Sequence, residues 1–369
     1  MKRALQILSW LLLVFTIVFA QESERTPLFF DASSFSSVEE RGVMRRELRG
    51  NVHMIKDSLD VTCDQAVYYP DSGIVIFRYN VVFKDPHRTM FADEVIYNEW
   101  TEEAFASTKI RVYQSDTLSV TSRTARYFER LNQGYLYDDV RIHELGRRVL
   151  LMGRLGFTDH VKEYGRVTGE PVMTERDSAG LLITRVKGDT VEYFGDRKTV
   201  RVTGKVRIER DSLIATGTFL EYLTADRMAV LTGEPEAIRA DNHVVGDTIR
   251  LYFEKDEKLS RVEVAGNAVA TSPADSGFAE PKNRMEGKLM TMWVDSGAIS
   301  SVLVENSAIA TYFVRDKNEK RGMNVTSGDR LRVFFDGRKI SRIRVEGGTE
   351  GTYTPQRLVS TPEPKTTPR

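Results

Sequence analysis

A short motif that ends in an aromatic residue recurs nine times along this chain, and it constrains the fold more than any other feature. Successive aromatic residues are 29, 30, 30, 36, 29, 30, 41 and 41 residues apart. A small residue or Cys precedes each of the first six by about five positions, whereas a Gly precedes each of the last three by six. Such regular spacing is typical of chains built from stacked structural repeats. We call the nine aromatic residues the markers, and they are Tyr68, Tyr97, Tyr127, Phe157, Tyr193, Tyr222, Tyr252, Trp293 and Phe334.

A second motif, which we call the leader, precedes each marker by roughly half a repeat. Its clearest copy is Gly50-Asn51-Val52, and polar and apolar residues alternate from there through Met54. Alternation with a period of two indicates a strand with one buried face. Turn sequences such as Asp71-Ser72-Gly73 follow the markers and suit tight hairpins. The sequence therefore predicts an all-β protein with roughly two or three short strands per repeat and no helix after the N-terminal segment.

The two ends of the chain lack the repeat. Residues 1–20 combine Lys2 and Arg3 with an apolar run that ends at Ala20, and this pattern predicts a cleavable signal peptide. An uncleaved anchor is the alternative, although the apolar run is short for a membrane span. Residues 352–369 hold four of the 11 Pro residues, so we expect a disordered tail that does not join a sheet.

The repeats divide the remaining chain into three parts. A lead-in segment covers residues 21–47, and the best-matching repeats cover residues 48–258. More divergent repeats of the same type follow over residues 259–351. The two 41-residue intervals predict exposed loops at residues 272–283 and 317–322, because neither segment shows a core pattern.

Composition argues against several classes of protein. The chain carries 53 Lys plus Arg and 53 Asp plus Glu, whereas a nucleic-acid-binding protein is expected to present a basic face. A single Cys, Cys63, excludes an intramolecular disulfide and a Cys-based zinc site. The sequence contains no nucleotide-binding, zinc-protease or nucleophile-elbow motif. We therefore expect no metal, no cofactor and no enzymatic activity.

Aspartates near the markers leave one catalytic alternative open. Two carboxylates that face each other across a cleft can hydrolyse a glycosidic bond, so a polysaccharide-active enzyme is conceivable. Recurrence once per repeat instead favours a structural role at turns or strand ends. The aspartates concerned are Asp64, Asp93, Asp189, Asp247 and Asp329.

Apolar residues of the predicted strands share one phase and predict a continuous apolar interior. Such an interior can be a close-packed core between two sheets, or a trough that holds acyl chains. The pattern does not separate these two structures. The candidate lipid-binding residues of the inward face are Val52, Met54, Val61, Val81, Phe83, Ile110, Val112, Val120, Val140, Ile142, Leu151, Val206 and Ile208.

The first repeats resemble OstA-like proteins, the group that includes LptA and the N-terminal domain of LptD. The resemblance rests on the leader Gly50-Asn51-Val52, followed by Cys63, Asp64, Ala66 and Tyr68. It recurs with fewer matches in later repeats, covers about residues 48–348 and weakens after Tyr252. The chain departs from the family in being about twice as long as a minimal LptA-type module and in lacking a C-terminal run of membrane-barrel strands.

The resemblance implies a fold and a function. The implied fold is an elongated, V-shaped β-jellyroll of antiparallel strands with an apolar interior. The implied function is that of a periplasmic carrier or bridge that shields the acyl chains of lipopolysaccharide, whose membrane anchor is lipid A, on the way to the outer membrane. The implied partners are other Lpt-type β-jellyroll proteins, joined end to end by strand pairing. Strand counting predicts a trough of roughly 50–65 Å. The alternative from another class is a structural or adhesive β-repeat module with a dry core.

Overall fold

The computed structural model describes residues 29–356, apart from residues 57–58, 87, 115–117, 145, 147, 211, 255–257, 275–281, 317–318 and 338. Almost all of the described chain is β-strand, and its one helical element is the single 3₁₀ turn Glu129–Leu131. The predicted signal peptide lies outside the described residues.

Twenty-six strand segments belong to one antiparallel sheet. The segments of the first half are β1 Phe29–Asp31, β2 Ser34–Glu40, β3 Val43–Lys56, β4 Leu59–Tyr69, β5 Ile74–Lys84, β6 Arg88–Asn98, β7 Glu103–Gln114, β8 Leu118–Phe128, β9 Gln133–Glu144, β10 Val149–Asp159, β11 Tyr164–Thr168, β12 Val172–Arg176 and β13 Leu182–Lys187. Those of the second half are β14 Thr190–Phe194, β15 Thr199–Arg210, β16 Leu213–Leu223, β17 Met228–Thr232, β18 Glu236–Arg239, β19 Asn242–Val245, β20 Thr248–Phe253, β21 Leu259–Pro273, β22 Lys282–Asp295, β23 Ala298–Asp316, β24 Glu319–Asp336, β25 Lys339–Glu346 and β26 Glu350–Pro355.

Each strand pairs with the strands before and after it, so the chain forms a continuous meander. Six pairs of short segments act as one interrupted strand each, because both members pair with the same neighbour; β11 and β12, for example, both pair with β10. The 26 segments therefore amount to 20 full-length strands. Nineteen spacings of about 4.8 Å give a ladder roughly 90 Å long. This exceeds the sequence-based estimate, because each long strand contributes to both faces instead of to one.

Every second full-length strand bends at a pair of residues with positive φ. In β3 these residues are Gly50 and Asn51, with φ of 75° and 49°, and in β15 they are Gly204 and Lys205, with φ of 73° and 46°. Left-handed pairs inside a strand redirect it sharply, as β-bulges do. The pairs coincide with the leader motif, so the leader marks the bend. The remaining pairs are Tyr79/Asn80, Thr108/Lys109, Asp138/Asp139, Gly169/Glu170, Gly233/Glu234, Gly266/Asn267, Asn306/Ser307 and Gly347/Gly348.

The bends divide the ladder into two half-sheets that pack against each other. The marker half-sheet contains the strand halves that carry the marker motifs, such as residues 65–69 of β4. The leader half-sheet contains the halves beyond the bend, such as residues 52–56 of β3. Buried side chains from both half-sheets form common clusters, so the core lies between them. We call the open margin opposite the bends the mouth.

The predicted all-β fold of repeated antiparallel strands is confirmed, with two differences in detail. Each repeat consists of two long bent strands, because the left-handed pairs let one strand serve both half-sheets. The longer intervals late in the chain come largely from longer strands, since β23 has 19 residues and β24 has 18. At the second predicted loop, residues 317–322, β23 continues to residue 316 and β24 begins at residue 319.

The C-terminal boundary also differs from the prediction. Thr352–Pro355 belongs to β26 and pairs with β24, although these residues were expected in the tail. Pro355 closes the strand at its last position, where a missing amide hydrogen costs least. The rest of the predicted tail, residues 357–369, lies outside the described residues.

Candidate functional site

One register row of apolar side chains lines the leader half-sheet from end to end. Each member is the cross-strand partner of the next, so the row is continuous through the pairing of the strands. We call it the inner row. Its first eleven members after Phe30 are Met54, Val61, Phe83, Met90, Val112, Val120, Ile142, Leu151, Met173, Val186 and Ile208.

A second row faces it from the marker half-sheet. It starts at Leu48 and Ala66 and ends at Leu331 and Val345, again by direct cross-strand pairing. Most of its members are aliphatic and fully buried, among them Val95 and Ile249 at 0% exposure. We call it the opposite row. This wall was not predicted from the sequence, although Ala66, two residues before the marker Tyr68, belongs to it.

The thirteen candidate lipid-binding residues all lie on the inner face of the leader half-sheet. Eight belong to the inner row, and five lie two positions closer to the bend: Val52, Val81, Ile110, Val140 and Val206. Nine of the thirteen are buried by the protein's own side chains. The four that keep solvent-exposed surface are Val112, Val120, Ile142 and Leu151.

Those four residues are consecutive in the inner row and lie where two packed cores meet, with Val112 packed against the first core and Leu151 against the second. The N-terminal core contains residues from Leu48 to Ile110, and the C-terminal core contains residues from Val186 to Val333. Across from these four residues the opposite row carries Ala125 and Gly156, which are small. Leu136 lies between them in the row, and its side chain occupies the space beside Gly156. The region is therefore distinguished by its four inner-row residues, which keep solvent-exposed surface. We call this region, spanned by β7 to β10, the central section.

Polar bridges close the mouth over the N-terminal core. Lys56 of the leader half-sheet donates a hydrogen bond to the Tyr97 hydroxyl at 2.9 Å, and this hydroxyl donates to Glu129 at 3.1 Å. Burial, reinforced by the Glu129 carboxylate, raises the pKa of Tyr97, so its hydroxyl stays protonated. Beside it, Phe30 packs against Tyr68 with ring centroids 5.8 Å apart. These contacts join residues that are distant in sequence and tie the two half-sheets together.

Arg88, the first residue of β6, makes the last of these bridges, and it reaches the ends of β8 and β10 in the central section. Its guanidinium lies 4.5 Å from the Tyr127 ring centroid, donates to the Tyr127 hydroxyl at 2.7 Å and lies 2.8 Å from the His160 ring nitrogen. Asp85 holds the other side of the guanidinium at 2.6 Å. Burial and the nearby Arg88 charge lower the pKa of His160, so the neutral imidazole is favoured in this contact.

The next inward marker lacks comparable cover. Tyr193 follows Tyr127 among the markers that point inward and is 48% exposed, against 2% for Tyr97. Further along the chain Arg210 lies 5.4 Å from the Phe253 ring centroid, again across the mouth. The bridges across the mouth thus extend to the end of β10 on the N-terminal side and resume between β15 and β20.

The recurrent aspartates occupy the bends. Asp64 accepts a hydrogen bond from Asn80 at 2.8 Å, and Asp247 accepts one from Asn267 at 3.2 Å. The amide of Asp189 donates to the carbonyl of Gly204 at 3.0 Å. These residues hold neighbouring bends together once per repeat, an arrangement that favours the structural reading over paired catalytic carboxylates.

Cys63 and the histidines add no further site. Burial raises the pKa of the Cys63 thiol to about 11, which keeps it protonated and unreactive at neutral pH. His53 lies 3.0 Å from Asp60 on the outer surface, and His243 contacts Glu236 on a neighbouring strand. Within the described residues, no three His, Cys, Asp or Glu side chains converge at metal-binding distance.

Comparison with known proteins gives a single kind of match. No family model and no curated protein matches the chain. Among solved structures it is similar to LptH of Pseudomonas aeruginosa, described as the LptA-homologous periplasmic component of the lipopolysaccharide transport device, with 13% sequence identity and a TM-score of 0.29. The match covers 39% of this chain and 95% of LptH. Among the described residues, no helix has the length and apolar character required to cross a membrane.

Proposed function

We propose that this protein is a non-enzymatic carrier that shields the acyl chains of lipopolysaccharide in its apolar interior during transport through the periplasm. The observation that carries the proposal is the central section, where four consecutive inner-row residues keep exposed aliphatic surface between two packed cores. The leader and marker motifs of the first repeats, which resemble those of OstA-like proteins, support the same function.

The chemistry of the interior suits acyl chains and little else. Burial of a methylene group in an apolar environment contributes about 0.8 kcal/mol, so a chain of a dozen carbons gains substantial binding free energy without any specific polar contact. A wall of Val, Ile and Leu side chains provides that environment and carries no group able to bind a sugar. The saccharide part of the lipid then stays outside the mouth, in water.

The burial of the thirteen candidate residues decides which of them can contact lipid in this conformation. Buried residues such as Met54 and Val81 already contact other protein side chains, so they shape the interior instead of contacting a ligand in this conformation. We assign direct lipid contact to Val112, Val120, Ile142 and Leu151. The other nine would contact lipid only after the half-sheets move apart.

End-to-end assembly supplies the rest of the proposed path. Among the described strands, β1 and β2 at the N-terminal end pair with β3 alone, and β25 and β26 at the C-terminal end pair with β24 alone. Each end therefore offers backbone hydrogen-bonding groups along one edge, and a further β protein can add a strand there. A ladder of roughly 90 Å would extend the route in this way. Export by the predicted signal peptide would place the chain in the periplasm.

Native mass spectrometry with matched variants tests the proposal. Purified protein is incubated with lipid A and compared with Val120→Asn, which places an amide in the central section, and with Thr121→Asn on the outer face of the same strand. We expect a lipid-bound mass for the wild type and for Thr121→Asn, and its loss in Val120→Asn. Melting temperatures of the three proteins separate a binding defect from unfolding.

The second candidate, a structural β-repeat module, has one observation in its favour. Both end cores are fully packed, and a module that only needs rigidity would look the same there. An apo mass for the wild type after incubation with lipid A would favour this candidate and remove the support for transport.

A further inference from the structure

Four of the nine markers point outward, and their spacing explains why. The small residue before each marker lies at the bend, so its distance to the marker decides which face the marker occupies. Where the small residue lies five positions before the marker, the marker points inward, as in Tyr68, Tyr97 and Tyr127. Where it lies six positions before, the marker points outward, as in Trp293 and Phe334. A shift of one residue in a strand moves a side chain to the other face of the sheet. The outward markers have no place in the interior and call for another explanation.

The last three outward markers stack with arginines in a row that crosses six strands, β20 to β25. Tyr252, Arg261, Trp293, Ser301, Phe334 and Arg342 form one register row on the outer face. The Arg261 guanidinium lies 3.9 Å from the Tyr252 ring centroid, and that of Arg342 lies 6.0 Å from Phe334. Arg332 reaches over the small Ser301 and lies between Trp293 and Phe334, at 5.0 Å and 5.5 Å from their centroids. We call this alternating row of rings and cations the arginine ladder.

The three ladder arginines differ from their neighbours in charge balance. Arg250, Arg330 and Arg344 on the same face each form an ion pair, with Glu263, Glu305 and Glu346 at 2.8, 3.2 and 2.7 Å. In the described part of the chain, no carboxylate lies within ion-pair distance of Arg261, Arg332 or Arg342. The ladder therefore carries three positive charges that the surrounding sheet leaves uncompensated.

The stacking also orders these charges in advance. A guanidinium flat against a ring keeps a fixed orientation and presents donors along its edge. The Nε atoms of Arg261 and Arg332 are buried against the rings without a hydrogen-bond partner, so their terminal nitrogens are the groups left for a ligand. Edge donors of this kind bind phosphate or carboxylate in a bidentate manner. Preordered side chains lose little further entropy on binding.

The geometry favours a linear ligand over a flat one. The three guanidinium groups are two strand spacings apart, or about 10 Å from one to the next. Neighbouring strands rotate by roughly 20–25°, so the direction of the ladder turns by about 90° from β21 to β25. A flat membrane surface would meet one or two of the three cations, whereas a flexible chain can follow all three.

We propose that the arginine ladder binds an acidic polysaccharide, through phosphate or carboxylate groups that repeat along its chain. The overall neutral charge of the protein favours a glycan over nucleic acid, whose binding needs a larger basic surface. The ladder lies on the outer face, away from the interior. This site is therefore independent of the proposed acyl-chain site, and either one can fail without the other.

The proposal is tested by measuring binding to the full chain over a series of salt concentrations. The ligands are polygalacturonate, a phosphomannan and neutral dextran. The ladder variant is R261Q/R332Q/R342Q, and the matched control is R250Q/R330Q/R344Q, which removes equal charge from the same face. We expect at least about tenfold weaker binding for the ladder variant, with a salt slope lower by roughly two to three. We expect the control to change affinity by less than about threefold, since its arginines are already neutralised.

Three results would overturn the proposal. The first is equal loss in the two triple variants, which would indicate diffuse charge. The second is wild-type binding to the acidic glycans no tighter than to dextran. The third is tighter binding of a single-stranded oligonucleotide than of any glycan. If the triple variant melts at a lower temperature than the wild type, Arg342→Gln alone replaces it in the test. This substitution removes one cation at the exposed end of the ladder and leaves the Arg332 stack intact.

Discussion

At the scale of single residues, left-handed backbone at the bends determines where each strand turns. Gly204 has φ of +73°, and a Cβ atom there would lie 2.2 Å from Asp189 Oδ2. Gly297, in a hairpin turn, has φ of +78° with no atom within 4 Å of the same position. Both sites carry the backbone cost of a non-glycine residue, and only the bend adds a steric conflict.

The two glycines therefore make a matched pair. We expect Gly297→Ala to lower the free energy of unfolding by about 1 kcal/mol, from backbone strain alone. Gly204→Ala should lower it by about 2–3 kcal/mol, because the Asp189 carboxylate must also move. Chemical denaturation measures both. Equal losses would mean that the Asp189 contact does not constrain the bend.

At the scale of elements, the marker motif has two structural roles that depend on its spacing. Tyr97 points inward, is 2% exposed and bridges the mouth, whereas Trp293 points outward and stacks with Arg332. We expect Tyr97→Ala to cost about 3–5 kcal/mol, since it opens a cavity and leaves Lys56 without its partner. Trp293→Ala should cost about 1–2 kcal/mol, because its site is half-solvated. Thermal denaturation of the two variants measures these losses of stability. An equal loss in Trp293→Ala and Tyr97→Ala would contradict this account.

His160 gives the bridge across the mouth a pH dependence. Its folded pKa lies below the unfolded value near 6.5, owing to burial and to Arg88, with Asp85 and Asp159 acting in the opposite direction. The unfolded chain thus binds the proton more readily, and stability falls as the pH drops through 6.5 toward the folded pKa. His160→Gln removes this titration and keeps a polar side chain. We expect the melting temperature of the wild type, relative to that of His160→Gln, to decrease between pH 7.5 and pH 5. A constant difference would exclude the effect.

Strand existence and the inward face were predictable, because alternation is a local signal. Val52, Met54 and Ile142 follow directly from period-two patterning. The bends were not predicted, because the leader motif indicated only a strand and the left-handed pairs within it appear in the structure alone.

The opposite row was missed, since its members, such as Ala66 and Val95 two positions before their markers, differ in size and share no motif. The solvent-exposed surface at the central section could not be predicted either, because it depends on which side chains meet across the two half-sheets. Ala125 and Gly156 are 31 residues apart in sequence and come to lie in one row, on either side of Leu136, only through the fold.

At the scale of the whole molecule, two packed cores flank a less packed centre. The N-terminal and C-terminal clusters share no buried member, and between them buried Val140 and Val167 alternate with partly exposed residues such as Val120 and Ile142. In repeat arrays stability is largely a sum over neighbouring units, so a weak stretch can open without the rest. We expect backbone amides of β8 to β10 to exchange with deuterium faster than those of β4 to β6 and of β21 to β23. Uniform protection along the ladder would show that the central section is as tightly packed as its flanks.

A ligand in the central section should be detectable at single-residue resolution. Ile142 and Arg141 are adjacent in β9, and their side chains point to opposite faces of the same half-sheet. A photoreactive amino acid at position 142 faces the interior, and one at position 141 faces the solvent, at almost the same place in the strand. The measurement is photocrosslinking of the two variants to lipopolysaccharide, at equal protein stability. The account predicts a crosslinked adduct from position 142 and none from position 141, and equal adducts from both positions, or none from 142, would contradict it.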